Sequence, residues 1–264
     1  MFERSEHVSV RLLVASCDTY CDLWPAFSAA LGHRWQDCPF PRHLITNEKP
    51  CPSSFVPTPT GRDVSWSANL RRALGMMDAE FVLLCVDDLL LTKPVDTEGV
   101  LSAVSWAKRN DATALQLVSL ESVWGRNWRG GNVPRLVPVG ATYRATTVFT
   151  LWNRERLAGL LNPAESAWEF EYRSPARLPP DAGVFQVRRS YFSFVNAVVK
   201  GSLVPEAVKL CTRERYPLAS SRPVLAGREL GRLRLARLRS AGLRLVPPAH
   251  RKVVRNLALG RLGE

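Results

Sequence analysis

The chain has 264 residues, of which 46% are hydrophobic and 23% are charged. These fractions are ordinary for a globular protein and exclude a chain that is disordered throughout. The formal net charge of +12 favours a polyanionic partner, such as a phosphorylated substrate, an anionic membrane surface or nucleic acid. Much of the basic excess lies after residue 212, so the charge describes the C-terminal end more than the main part of the chain.

Targeting signals are not apparent in the sequence. Residues 1–7 are mostly polar, and the apolar run that follows is interrupted by Arg11, which argues against a signal peptide. No run approaches the roughly 18–20 apolar residues of a membrane span. None of the six cysteines forms a CxxC pair, which indicates reduced thiols. We therefore expect a cytoplasmic protein, peripheral on the inner face of a membrane if its basic end binds lipid.

The first elements alternate between strands and helices. Val8–Ser16 is nearly continuous in apolar residues and predicts a buried strand. Tyr20–Leu31 has helical spacing, and Asp18 or the next residue is expected to cap it. His43–Thr46 predicts a second strand. The proline-rich stretch that follows it predicts a surface loop without regular structure.

The next elements continue this alternation. Ser65–Met77 predicts a helix with Ser65 as its N-cap, and Glu80–Val86 is the most strongly apolar strand of the chain. Asp96–Arg109 predicts a further helix and Ala112–Val118 a further strand. Alternation of this kind predicts a parallel, doubly wound α/β sheet with helices on both faces. In such sheets ligands bind beyond the carboxyl ends of the strands.

The second half is less regular. Arg144–Trp152 predicts a strand, Asn153–Leu161 a helix, and Val184–Val195 a hairpin with two arginines at its turn. We expect one domain over residues 1–215. A basic, Arg/Leu-rich helical extension is expected over residues 216–264.

Asp87 and Asp88 are the leading candidates for a functional site. They follow the Glu80–Val86 strand directly, where two adjacent carboxylates repel each other and lose hydration. A divalent cation removes that cost, and Mg²⁺ or Mn²⁺ bound there can also bridge to phosphate oxygens. The alternative is that one aspartate caps the next turn and the other is solvated.

The order of these elements resembles a known family. Residues 65–74 (SWSANLRRAL), 80–84 (EFVLL) and the pair Asp87-Asp88 are similar to the core of GT-A glycosyltransferases. The similarity is greatest to the family-2-like transferases of bacterial polysaccharide and lipopolysaccharide synthesis. It implies a GT-A-like, Rossmann-like sheet that is mostly parallel and flanked by helices. The acidic motif here is x-Asp-Asp where the family has Asp-x-Asp.

The resemblance also implies roles for individual residues. Asp88 would be the principal ligand of a divalent metal, Mn²⁺ or Mg²⁺, and Asp87 would contact the ribose or the metal. A nucleotide-diphosphate sugar would be the co-substrate. The other residues implied in nucleotide binding are Asp18, Glu48, Asn69 and Arg72. A solvated helix face explains the last two equally well.

An acidic segment, Glu165–Glu171, is expected to supply the catalytic base. An inverting transferase needs a carboxylate that takes the proton of the acceptor hydroxyl. Glu169 is our first choice, Glu171 the second and Glu165 the third. Trp168 beside them would form an apolar wall against a sugar ring. The alternative is an amphipathic helix with solvated acids.

Three further segments carry weaker signals. Trp124–Arg129 combines tryptophans and arginines in a way that suits sugar recognition or a loop anchor. Arg188-Arg189 and Lys200 would meet diphosphate oxygens or would be surface charge. Glu229–Arg261 suits an amphipathic helix on an anionic membrane, which would bring the enzyme to a lipid-linked acceptor. A packed helix or an unfolded basic tail is the alternative.

The sequence therefore predicts a glycosyltransferase that moves a sugar from a nucleotide-diphosphate donor to a glycan or lipid-linked acceptor in cell-surface polysaccharide synthesis. One alternative is a nucleotidyltransferase acting on sugar phosphates, although Ala15–Tyr20 lacks the glycine-rich loop of such enzymes. Another is a non-enzymatic nucleic-acid-binding protein. The basic excess is terminal and aliphatic, so we expect no nucleic-acid partner.

Overall fold

The structure is a computed structural model that describes residues 9–119, 131–141, 143–227 and 229–231. Its strands are β1 (Val10–Ala15), β2 (Arg42–Thr46), β3 (Val56–Pro59), β4 (Phe81–Val86), β5 (Leu89–Leu91), β6 (Ala114–Gln116), β7 (Arg135–Leu136), β8 (Thr150–Asn153), β9 (Val184–Gln186), β10 (Phe194–Asn196), β11 (Val198–Val199) and β12 (Ser202–Leu203). Its helices are α1 (Trp24–Arg34), α2 (Trp66–Gly75), α3 (Thr97–Arg109), α4 (Arg154–Leu160), α5 (Ala167–Arg173) and α6 (Pro205–Glu214).

Eight of these strands form one mixed sheet in the order β3-β2-β1-β4-β8-β6-β9-β7. The first four strands are parallel to one another, as are β6 and β9. Strand β8 runs antiparallel to both of its neighbours, and β7 is an antiparallel edge strand. The predicted fold class, an α/β protein with a mostly parallel sheet between helices, is confirmed.

Successive residues of the two central strands enter two separate cores. Leu12 and Leu83 face the core that also contains α1, α3 and α6, whereas Leu13 and Val82 face the core that contains α2, α4 and α5. Side chains alternate between the faces of a strand, so an uninterrupted apolar run is needed where both faces are covered. This double burial explains why β4 is apolar throughout and why Arg11, which is only partly buried, is the one polar residue of β1.

Side-chain caps begin several of the helices, and Ser65 is the N-cap of α2 as the sequence predicts. Ser65 accepts a hydrogen bond from the Ala68 N–H, and Asp96 accepts one from the Gly99 N–H. Asn153 caps α4 in the same way. Each cap satisfies an amide that the first turn of a helix leaves without a partner.

Three predictions about local structure are wrong. The proline-rich loop contains β3, which tolerates proline because it is an edge strand. Asp18 does not cap α1, whose N-cap is Leu23. The segment Val184–Val195 is not a hairpin, because β9 pairs within the main sheet and β10 pairs with β5. That pairing partner is distant in sequence, so no local pattern reveals it.

Part of the expected C-terminal extension packs on the rest of the chain. Tyr216 and Leu225 are buried, and Arg222 forms an ion pair with Asp22 at 2.9 Å. Most of the segment Glu229–Arg261, on which the membrane prediction rests, lies outside the described residues. Within the described part of the chain, no helix has the length and hydropathy needed to cross a membrane.

Candidate active site

A cavity of about 410 Å³ opens at the carboxyl ends of β1 and β4. Parallel neighbours end at the same edge of a sheet, which brings the residues after these two strands together. The lining residues come from both cores and from six segments of the chain. They are Ala15, Ser16, Cys17, Tyr20, Asp63, Trp66, Asn69, Val86, Asp87, Asp88, Leu89, Thr147, Val148, Ser166, Ala167, Trp168, Glu171 and Asn196.

Asp87 is held at the floor of this cavity by neutral donors. Its side chain is 4% exposed, and its Oδ2 accepts hydrogen bonds from the Ser16 hydroxyl and, at 3.2 Å, from the Trp24 indole N–H. The same indole N–H lies 2.7 Å from the Ser16 Oγ. Ser16, just after β1, and Trp24, at the start of α1, therefore fix the orientation of the carboxylate that follows β4.

The two carboxylates lie in an environment that disfavours their charge. Burial raises the pKa of Asp87 to about 8, and the charge of Asp88 adds to this effect while the hydrogen bond from Ser16 opposes it. Burial also raises the pKa of Asp88 to about 6. Both values lie far above the ordinary value for aspartate. Ionisation of this pair is therefore costly unless a cation compensates the charge.

The donor set fits a hard divalent cation held by protein and phosphate together. Asp87 and Asp88 supply carboxylate oxygens, which Mg²⁺ and Mn²⁺ prefer. Within the described part of the chain, no group of three or more His, Cys, Asp or Glu side chains could hold a metal. A cation here would have two carboxylates from the protein and would take its other ligands from a bound phosphate and from water.

Asp18 has a structural role at the neighbouring strand end. Its carboxylate accepts hydrogen bonds from the backbone N–H groups of Asn47, Glu48 and Lys49, at 2.8 to 2.9 Å. Burial raises the pKa of Asp18, but these three hydrogen bonds outweigh it and the pKa lies below its usual value. Asp18 thus joins the ends of β1 and β2, and the exposed side chain of Glu48 does not line the cavity.

Asn69 and Arg72, both on α2, are placed differently. Asn69 is 2% exposed and lines the cavity, where its Nδ2 donates to Asp63 at 2.7 Å. Arg72 donates to the carbonyl oxygens of Thr60 and Arg62, and it is not among the lining residues. The guanidinium therefore supports the loop that carries Asp63.

The acidic segment places Glu171 in the cavity wall. Glu171 is 9% exposed, and its Oε1 accepts hydrogen bonds from the hydroxyls of Thr146 and Thr147 at 3.0 and 2.8 Å. The Thr147 N–H donates to the same oxygen at 2.7 Å. These threonines precede β8, the antiparallel strand beside β4. This arrangement holds a carboxylate rigidly in the cavity that contains Asp87 and Asp88.

Glu169 and Glu165 are engaged elsewhere. Glu169 forms a capping box with Ser166 at the start of α5, and its Oε1 lies 3.3 Å from Arg173. The backbone N–H and hydroxyl of Ser166 lower the pKa of Glu169. Glu165 is buried against Arg177, with a closest contact of 2.7 Å. Neither carboxylate lines the cavity, which leaves Glu171 as the acid of this segment within it.

Several residues of the site carry no recognisable signal in the sequence. Ser16, Trp24 and Thr147 contact the acidic residues of the site, but each belongs to a different element from its partner. Asn196, at the end of β10, also lines the cavity. Only the pairing of β10 with β5 brings it there, since Leu89–Leu91 follows Asp88 directly.

The remaining predicted segments lie away from the cavity or outside the described residues. The backbone N–H groups of Arg188 and Arg189 donate to Asn132, and neither arginine is a lining residue. Lys200 lies in the turn between β11 and β12 with a positive φ of 51°. The segment Trp124–Arg129 lies outside the described residues.

Comparisons with known proteins give structural likenesses only. No protein-family model matches the chain, and no curated protein matches it. Among solved structures, TarS 1-349 of S. aureus is 12% identical with a TM-score of 0.42, and the match covers 69% of this chain. The chain spans 60% of the length of that TarS chain. A TarS 1-349 complex with UDP-GlcNAc matches at 11% identity over 68% of this chain and 58% of that chain, with a TM-score of 0.41.

A further similar structure is the galactosyltransferase LgtC in complex with donor and acceptor sugar analogs. It is 12% identical, with a TM-score of 0.38, and the match covers 92% of this chain and 99% of that chain. The sheet described above agrees with the mostly parallel sheet that the sequence predicts.

We predict that the substitution Asp87→Asn changes how stability depends on pH. Because the folded-state pKa of Asp87 lies above its unfolded value, protonation stabilises the fold at low pH, and this contribution is lost as the pH rises towards about 8. Asparagine cannot ionise, so the metal-free variant should gain in melting temperature relative to wild type as the pH rises from about 5 to about 8. Thermal unfolding in EDTA at several pH values measures this difference.

The control is Asp78→Asn, at an exposed position shortly before the amino end of the same strand. Its melting curve should stay parallel to that of wild type across the pH range. If the Asp87→Asn curve is also parallel to that of wild type, ionisation of the buried Asp87 carboxyl does not destabilise the fold.

Proposed function

We propose that the chain is a glycosyltransferase that uses a nucleotide-diphosphate sugar as donor. One observation carries this proposal: an acidic pair with raised pKa values and a rigidly held glutamate line the same cavity at the carboxyl edge of a parallel sheet. A diphosphate with its cation would compensate the negative charge of the acidic pair. The glutamate can accept a proton from a nucleophile. Together they match the two chemical needs of sugar transfer.

The donor is expected to bind with its diphosphate next to Asp87 and Asp88. Ser16 and Trp24 keep Asp87 oriented, so little reorganisation is needed when the donor arrives. A divalent cation bound by Asp88 and Asp87 would supply positive charge to the diphosphate leaving group. The loop held by Arg72 and the buried Asn69 would border the nucleoside.

Glu171 is the proposed base. All the hydrogen bonds it makes to described residues end on Oε1, so Oε2 is the oxygen that would accept the proton of the acceptor hydroxyl. The three donors fix the carboxylate, which satisfies the positional requirement for general base catalysis. Attack by an acceptor activated on the side of Glu171, opposite the leaving group, would invert the anomeric centre. Glu169 stays a weaker candidate because the capping box occupies it.

The cellular setting is part of the same proposal. The acceptor would be a glycan or a lipid-linked saccharide in cell-surface polysaccharide synthesis, and the enzyme would act on the cytoplasmic side. The charge distribution supports this setting, because the basic residues after position 212 would attract an anionic membrane surface.

A nucleotide-sugar screen tests the donor site. We expect a UDP-sugar or another nucleotide-diphosphate sugar to raise the melting temperature when Mn²⁺ is present, because a ligand that binds only the folded state stabilises it. At a ligand concentration of about 100 times Kd the gain is about 2.7 kcal/mol. The substitution Asp88→Ala should abolish this gain and reduce turnover to background, because it removes the principal oxygen ligand. Differential scanning fluorimetry measures the gain.

Asp78→Ala is the matched control, since it removes an exposed carboxylate near the opposite end of β4. It should keep the full ligand-induced shift. The donor site is wrongly placed if Asp88→Ala retains that shift, and the whole proposal fails if no nucleotide sugar stabilises the wild-type protein.

A pair of substitutions decides which glutamate is the base. Glu171→Gln should lower kcat by about 100-fold or more, because glutamine keeps an oxygen for the threonine donors but cannot take a proton. Glu169→Gln should change kcat by less than about threefold, since glutamine also satisfies a capping box. The release of nucleoside diphosphate from the donor found in the screen measures both rates. A larger loss in Glu169→Gln than in Glu171→Gln would reverse the assignment.

A further inference from the structure

Helix α5 has an unusual distribution of aromatic side chains. Phe170 is fully buried, with its ring centroid 5.4 Å from that of Trp66 and 6.2 Å from that of Trp152. Trp168 and Tyr172 on the same helix are 76% and 86% exposed. A single exposed aromatic residue is ordinary, but two on adjoining turns form a patch that calls for an explanation.

The two exposed rings lie in line with the proposed base. Residues four apart on a helix are neighbours on its surface, which places Tyr172 next to Trp168. At about 100° per residue, Glu171 follows on the same side of the helix, about 60° from Trp168. Glu171 and Trp168 line the cavity, whereas Tyr172 does not. The row Glu171, Trp168, Tyr172 therefore leads from the cavity to the outer surface.

The inner end of this row is polar and incompletely paired. Among the described residues, neither the Asn69 Oδ1 nor the Trp66 Nε1 has a hydrogen-bond partner, although both atoms are buried. Both residues line the cavity close to α5. A sugar hydroxyl can both donate and accept a hydrogen bond, so polar side chains of this kind suit a saccharide at the cavity end of the row.

We propose that the exposed face of α5 binds the acceptor as a saccharide at least two units long. This inference rests on the proposed function and deepens it. The reacting sugar lies in the cavity between Glu171 and Trp168, and the next sugar lies against the ring of Tyr172. Aromatic rings suit the C–H faces of pyranose rings, and the hydroxyl groups at their edges stay in contact with water or with Asp63 and Asn69.

The surroundings of the two rings favour a saccharide over a lipid surface. Glu169 and Arg173 form an ion pair on the adjoining flank of the helix, and Ser166 at its start is exposed. A helix that enters a membrane interface carries a wide apolar face and a polar face rich in Lys and Arg. Helix α5 has only seven residues and two exposed rings, which is too little apolar surface for that mode.

Saccharide length is the variable that tests this inference. The probes are chito-, cello- and malto-oligosaccharides of one to four units and a broad glycan array, each with UDP and Mn²⁺ present. We expect at least one series in which the longer member binds wild type about tenfold more tightly than the single sugar, a difference of about 1.4 kcal/mol. Tyr172→Ala should remove most of this gain and Tyr172→Phe should keep it. Trp168→Ala should weaken all members of the series.

The matched control is Leu101→Ala, which removes an exposed apolar side chain from α3, a helix that does not line the cavity. It should bind every saccharide as wild type does. The inference is overturned if affinity is independent of saccharide length in every series. It is also overturned if affinity rises with length as much in Tyr172→Ala as in wild type. Vesicles of phosphatidylcholine and phosphatidylglycerol give a second arm, and lipid binding that is lost in Tyr172→Ala assigns the rings to a membrane and also overturns it.

Failure of this inference is separable from failure of the proposed function. Donor binding is read independently as the thermal shift with nucleotide sugar and Mn²⁺. Donor binding without any length dependence removes the saccharide surface alone. Length-dependent saccharide binding without any donor binding contradicts the proposed transferase activity and supports only a saccharide-binding surface on α5.

Discussion

Two carboxylates leave a buried strand side by side where burial disfavours their charge, and they constrain the whole site. Asp87 and Asp88 both have raised pKa values, and the hydrogen-bond donors to Asp87 are neutral. A chain that needed only stability would place apolar or exposed residues at this position. The arrangement is useful when a cation bound in the cavity compensates the two negative charges. Each further element of the site can be understood by how it serves that pair.

The mixed sheet explains how Glu171 reaches the same cavity. The parallel pairing of β1 with β4 brings Ser16 beside Asp87, and β8 returns antiparallel next to β4. The segment before β8 therefore lies at the carboxyl edge of β4, where Thr146 and Thr147 hold Glu171. Strand β8, which is antiparallel to both of its neighbours, thus places Glu171, the proposed base, in the cavity of the acidic pair. Helix α5, which carries Glu171, is also the helix with the exposed rings of Trp168 and Tyr172.

Local patterns were sufficient to predict the central strands and the cap of α2, and they singled out Asp87 and Asp88, whose role as a metal site stays a prediction. They were not sufficient where the outcome depends on distant partners. Asp18 is a residue type that serves as a metal ligand or a helix cap. Its carboxylate instead accepts hydrogen bonds from three N–H groups of the turn after β2. Glu169 and Glu171 are two residues apart and chemically identical, and only the helix phase and the threonines before β8 distinguish them. The ring of Trp24 contacts Asp87 across 63 residues of sequence, a relation that no single-sequence pattern contains.

The most direct test of the account is a carboxyl-carbon NMR titration of the protein labelled at aspartate, with Asp87→Asn and Asp88→Asn used for assignment. In the free protein the pair should titrate with apparent pKa values near 8 and near 6. Addition of Mg²⁺ together with UDP should lower both values, because a bound cation favours the charged forms. Ordinary aspartate values in the free protein, or raised values that Mg²⁺ and UDP leave unchanged, would contradict the claim that this pair exists to hold a cation and a diphosphate.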